Sequence, residues 1–177
     1  ELEARNYDTY LLLSTVPIHM SAPDDIPRFL KGRDVDGVII AGSVSPILID
    51  HILKLGMPLA LVDYRVPGLE IDSIIMDNRY GLSLIVEHLV HQNVTHIGFV
   101  GGSFYHPSIK ERFEGYQTAM ERLGLGDISR NKNYHYLVEE ETTTNIGSLG
   151  AEQLLKTVNN LQAIICVNDT TAIGCMN

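Results

Sequence analysis

Three places in this 177-residue chain put polar side chains where chemistry could happen. Asp77 and Asn78 follow directly on the apolar run that ends at Met76, and a helical pattern opens behind them. A carboxylate and an amide at such a junction either cap the helix or face a ligand, and one can cap while the other faces outward. Asn168 and Asp169 repeat the arrangement after the run AIICV. There Asp169 is expected as the cap and Asn168 as the contact. Arg112 lies three residues after Ile109 and four before Tyr116, inside the apolar stripe of its own helix. A guanidinium so placed needs partners or a solvated cleft. Glu111 and Glu114 could pair with it, while its planar fork also suits the hydroxyls or carboxylates of a ligand, which is the reading preferred here.

Signals for catalysis are weak. Gly101, Gly102 and Ser103 lack the remaining glycines of a dinucleotide loop, and the chain contains no Walker motif. Neither Ser43 nor Ser103 sits in a GxSxG elbow. His88 and His91 lie one turn apart, but EHLVH is not HExxH, so both read as solvent-facing. Glu139, Glu140 and Glu141 read as a solvated loop. The expectation is a binding protein and not an enzyme, with no catalytic residue, no metal and no cofactor. Cys166 and Cys175, the only cysteines, make no CxxC spacing and read as free thiols of a cytoplasmic protein.

The elements that must position these residues follow from the hydrophobic pattern. Apolar runs at 10–16 (YLLLSTV), 37–41, 59–63, 73–76, 96–101 and 163–167 read as strands covered on both faces, with a weaker one at 134–138. Helical patterns alternate with them. Ser45 can cap a helix that starts at Pro46 and stops at Gly56. In the helix after Asn78, Leu82, Ile85, Val86 and Leu89 form one stripe, and Asn93 supplies the left-handed turn that ends it. Ile109, Phe113, Tyr116, Met120 and Leu123 are in phase on the next helix, another runs over about 145–158, and one more opens at Asp169. Alternation of this kind predicts an α/β fold with parallel sheets. In such sheets ligands sit beyond the carboxyl ends of the strands. That rule adds Ser43 and Tyr105 to the candidate contacts, from their position after strands alone.

Composition narrows the partners. The chain is 45% hydrophobic and 20% charged, with 13 basic and 22 acidic residues and a net charge of −9. A surface of that sign repels phosphates, so nucleic acid is not expected to be held by these residues themselves. No apolar run approaches the length of a membrane span.

Six segments, in order, resemble the effector-binding region of the LacI/GalR family of bacterial transcriptional regulators. They are VDGVII (35–40), GMPLALVDYR (56–65), SIIMDNRYG (73–81), HIGFVGG (96–102), ERFEGYQTAMERLGL (111–125) and AIICVNDTTAIG (163–174). The resemblance covers nearly the whole chain. It implies two Rossmann-like lobes of the periplasmic-binding-protein type that close on a small effector such as a sugar, a nucleobase or a sugar phosphate. Residues 1–102 would form the first lobe and 103–177 part of the second, with Asp77 and Met76 facing Arg112 and Asn168 across a cleft. Met76 would be an apolar wall. The implied whole is a cytoplasmic homodimer that reads DNA through a helix-turn-helix outside these residues. A periplasmic sugar-binding protein of a transport system is the alternative. The family's Gly-His before the strand at 96 is replaced here by Asn93 and Val94. With neither a first strand nor the end of the second lobe, the piece alone is expected to self-associate or to be poorly stable.

Overall fold

A computed structural model describes residues 9–17 and 25–177. The chain divides into two compact units, Glu1–Ile75 and Met76–Asn177.

In the first unit a one-turn helix α1 (Arg28–Lys31) precedes β1 (Val38–Ala41), α2 (Pro46–Lys54), β2 (Leu59–Val62) and β3 (Asp72–Ile74). Ser45 caps α2 as its sequence demands: its Oγ accepts the N–H of Ile47 at 3.3 Å, and Pro46 occupies the first helical position. Gly56 ends the element with a positive φ of 65°. The three strands run parallel in the order β1-β2-β3, with Ile40 opposite Leu61. Ile40, Leu48, Ile49, Ile52 and Leu61 pack with Ile26 and Leu30 into one core. Only one face of this sheet is covered in the described residues, because Ile39 and Ile74 remain 72% and 71% exposed. The expected strand at 10–16 is absent: the segment has no secondary structure and Leu13 is 96% exposed. An apolar run becomes a strand only where a neighbouring strand accepts its ladder, and here it pairs with none.

The second unit runs α3 (Asn78–His91), β4 (Ile97–Gly101), α4 (Pro107–Arg122), α5 (Gly126–Arg130), a 3₁₀ turn at Lys132–Tyr134, β5 (His135–Leu137), α6 (Thr144–Thr157), β6 (Ala163–Cys166) and α7 (Asp169–Met176). Its parallel sheet has the order β5-β4-β6, and all five residues of the central β4 are buried. Both faces are clad here, as the unbroken apolar run of β4 requires. On one side Ile97, Phe99 and Ile165 meet Leu82 and Val86 of α3 and Ile109, Phe113, Tyr116 and Met120 of α4. On the other, Gly98 and Val100 lie against Leu154 and Gly150 of α6. The α3–α4 contact is close enough that a Cβ at Gly115 would lie 2.6 Å from the carbonyl oxygen of Arg79. Asn93 takes the left-handed conformation expected of it, with φ 62°.

Three expectations change. The strand at 96–101 pairs with β5 and β6, so the division falls between Ile75 and Met76 rather than at Gly102. Met76 and Asp77 therefore belong to the same unit as Arg112 and Asn168. On α3, Leu82 and Val86 are buried but Ile85 is 45% exposed, and on α4 the stripe stops at Met120, leaving Leu123 at the rim. No helix among the described residues is long and apolar enough to cross a membrane.

His135 sits in the aromatic part of this core. Its ring meets Phe113 at 4.9 Å and Tyr116 at 5.8 Å, nearly perpendicular to both, and its buried Nε2 has no hydrogen-bond partner. Burial lowers its pKa, with the Ser129 backbone acting weakly the other way. A protonated ring is thus disfavoured only in the folded state. The unfolded chain takes up this proton at about pH 6.5, so folding stability is expected to fall as pH drops through that value. Urea unfolding between about pH 7.5 and 5.5 should show the slope, reduced in His135→Gln. Equal slopes in both proteins would remove His135 from the effect.

Candidate functional site

The polar groups singled out in the sequence gather at the carboxyl end of the second sheet. Asp77 caps α3: its Oδ1 accepts the N–H of Tyr80 at 3.0 Å while the side chain stays exposed. Asn78, the first helical residue, turns inward and is only 7% exposed. Its Oδ1 accepts Arg112 Nε at 2.8 Å, and its Nδ2 donates to Glu111 Oε2 at 2.9 Å. Arg112 Nη1 donates to the carbonyl of Val167, just beyond β6, at 2.7 Å. One guanidinium thereby ties the start of α3, the second turn of α4 and the end of β6. Its Nη2 has no hydrogen-bond partner among the described residues.

The acids expected beside Arg112 are engaged elsewhere. Glu114 pairs with Arg79, and the second oxygen of Glu111 lies 3.5 Å from Arg79 Nη1. Among the described residues Arg112 therefore contacts two neutral oxygens and no carboxylate. Arg112 is half-buried, and a guanidinium edge left unused among the described residues suits an anionic or hydroxyl-bearing ligand.

Asn168 corrects the expectation for its pair. It is Asn168 that caps α7, while Asp169 becomes the exposed first helical residue. Asn168 Oδ1 accepts the N–H of Thr171 at 3.0 Å, and Thr171 Oγ1 completes a capping box by accepting the N–H of Asn168 at 3.3 Å. The Asn168 Nδ2 donates to Thr142 Oγ1 at 2.7 Å, joining this rim to the turn before α6. Thr171 has no exposed surface, which is why a short hydroxyl side chain stands there. The capping pattern N-x-x-T is visible in the sequence. The partnership of Asn78 with Arg112 is not, because it spans 34 residues and depends on how two helices meet.

Tyr105 lies on the loop after β4, 62% exposed. It lines a concavity of about 560 Å³ with Gly102, Ser103, Phe104 and the segment 137–139. Met76 is 58% exposed ahead of α3. Ser43 is half-buried after β1, beside Gly42 with φ 83°, and it belongs to the first unit. The second unit thus brings Asp77, Asn78, Arg112 and Asn168 to one rim, where the amino-terminal ends of α3, α6 and α7 also arrive with their partial positive charge. No cluster of three or more His, Cys, Asp or Glu suited to a metal ion occurs among the described residues.

Known proteins were compared with this chain. Residues 2–177 match the sequence model of the family described as periplasmic binding proteins and sugar binding domain of LacI family. The chain is similar to the ribose operon repressor of Haemophilus influenzae, 26% identical over 145 residues that make up 82% of this chain and 42% of that protein. It is also similar to the HTH-type transcriptional regulator GalR of Escherichia coli, 26% identical over 151 residues, 85% of this chain and 43% of that protein. Among solved structures, transcription regulator CcpA of Lactococcus lactis superposes with a TM-score of 0.76 at 21% identity, covering 98% of this chain and 62% of that one. The chain spans less than half the length of these two curated relatives.

If Asn168 is a cap, Asn168→Ala should lower stability by about 0.5–2 kcal/mol in urea unfolding, whereas Asn168→Ser should lose much less. An unchanged unfolding midpoint in the alanine variant would contradict the assignment.

Proposed function

The chain belongs to the family of periplasmic binding proteins and LacI-type sugar binding domains, and from that membership we propose that it is the effector-sensing region of a ligand-responsive bacterial transcriptional regulator. The effector is a small polar molecule: a sugar, a nucleobase or a sugar phosphate. The curated relatives are themselves a repressor and a regulator, neither enzymes nor transport proteins, which favours this reading over a transport-linked binding protein. DNA would be read by a helix-turn-helix outside these residues, in a homodimer acting in the cytoplasm.

One observation carries the proposal. Arg112 is held by Asn78 and the Val167 carbonyl at the strand ends, while among the described residues its Nη2 has no hydrogen-bond partner and it meets no carboxylate. A fork held in place by two bonds loses little freedom when a ligand completes it, so binding there is preorganised. In this reading Arg112 and Asp77 hold polar groups of the effector. Asn168 shapes the rim through its cap and its bond to Thr142, and Met76 and Tyr105 offer apolar and aromatic walls. The effector acts by binding one conformation of the regulator better than another, and its influence on DNA affinity cannot exceed that difference.

Titration calorimetry of the full-length protein against a panel of sugars, nucleobases and sugar phosphates is expected to find a ligand. Arg112→Ala should then weaken its binding by about 1.5–3 kcal/mol, the worth of a hydrogen bond to a charged group. Arg112→Lys should fail to restore it, because an ammonium cannot make the Nε bond to Asn78 while presenting a second donor edge. Unchanged affinity in Arg112→Ala would place the effector elsewhere.

A further inference from the structure

The two cysteines lie nine residues apart in sequence and meet in the fold. Cys166 ends β6 and Cys175 stands in the last turn of α7, with their sulfurs 3.3 Å apart. They form a directed chain: the Cys166 thiol donates to Cys175 Sγ, and the Cys175 thiol donates to the carbonyl of Gly147 on α6 at 3.1 Å. The contact is held by its surroundings. A Cβ at Gly147 would overlap the carbonyl of Thr171, and one at Gly174 would overlap that of Thr144, so α6 and α7 touch backbone to backbone. The helix that carries Cys175 therefore has little room to move away from the strand that carries Cys166. Both cysteines are half-buried.

We propose that Cys166 and Cys175 are a redox-reactive dithiol site that a small disulfide of the glutathione class oxidises to an intramolecular disulfide. Burial and the neighbouring thiol push the Cys166 pKa up to about 12, so Cys166 stays protonated and the first attack falls to Cys175. The Cys175 thiolate attacks the small disulfide, forming a mixed disulfide and releasing one small thiolate. The Cys166 sulfur then attacks the Cys175 sulfur, a disulfide joins the two cysteines, and the second small thiol leaves with the Cys166 proton. Two protein thiols are oxidised, and the two electrons reside on the two small thiols released. Closure needs each sulfur to move by about half the difference between 3.3 Å and the roughly 2.05 Å of a disulfide bond. The new bond would tie α7 to β6 immediately behind the Asn168 cap and the Val167 carbonyl.

The test is direct because no lysine or arginine lies between Lys156 and Asn177, so trypsin leaves both cysteines in one peptide. Full-length protein is incubated with oxidised glutathione, blocked with iodoacetamide and digested. The expected result is loss of both free thiols, with the peptide lighter by two hydrogens and restored by dithiothreitol. Two alkylated thiols, a persisting glutathione adduct on either cysteine, or a link to another chain would overturn the proposal. In Cys175→Ser, Cys166 should remain alkylatable under the same treatment, and ready glutathionylation of Cys166 in that variant would overturn the order of attack.

Discussion

A guanidinium set in the buried stripe of a helix must be desolvated on at least one side, and something has to replace the lost water. In this protein the replacement is an amide oxygen and a backbone carbonyl rather than a carboxylate. Neutral acceptors satisfy the N–H groups without cancelling the charge. The nearest acids are held one step away, Glu111 by Asn78 and Glu114 by Arg79. Had Glu111 closed directly on Arg112, the result would be an ordinary ion pair with little left to offer a ligand. The buried amide of Asn78 prevents that by occupying both groups at once.

The geometry that permits this arrangement begins in packing. Gly115 lets α4 approach α3 until backbone nearly meets side-chain position, which brings Arg112 within reach of the first residue of α3. Phe99, Phe113 and Tyr116 then fix the rotation of α4 against the sheet, with ring centroids 5.1–6.1 Å apart and the buried Tyr116 hydroxyl donating to the Ile97 carbonyl at 2.8 Å. Removing water from that phenol raises its pKa, so it stays a donor. Each contact constrains one degree of freedom of the helix, and the angular freedom left to Arg112 is small in consequence.

Local chemistry was readable along the chain and long-range chemistry was not. Ser45 before Pro46, Asn93 at a left-handed turn and the α/β alternation all follow from rules that act within a few residues, and each stands where the sequence puts it. The segment 10–16 has the composition of a strand but pairs with no strand among the described residues, and pairing is a property of the fold rather than of the run. Asn168 rather than Asp169 became the cap because Thr171, three residues after Asn168, reciprocates with it in a capping box. The division at Ile75 rather than Gly102 has the same origin: β4 is defined by its partners β5 and β6, which lie downstream. Arg112 stood out because its type conflicts with its stripe. Asn78 did not, because an amide at a helix start conflicts with nothing.

The two ends of the second sheet use their polar groups differently. At the amino end, Gln162 Oε1 accepts the backbone N–H groups of Thr95 and His96 at 2.8 and 3.0 Å. His96 engages both ring nitrogens, Nδ1 with Tyr134 at 2.7 Å and Nε2 with Asn160 at 2.8 Å. These side chains answer one another at that end, while the buried Nε2 of His135 at the start of β5 stays unpaired among the described residues. At the carboxyl end the helices begin rather than finish, and each start leaves N–H groups that no turn above can accept. Caps such as Asp77, Thr143 and Asn168 satisfy some of them. Arg112 stands at this same end, where its Nη1 donates to the Val167 carbonyl just beyond β6. A parallel sheet with helices wound on both faces concentrates the free N–H groups of its helix starts at one edge by construction, and Arg112, set inside an apolar stripe, adds its charge at that same edge.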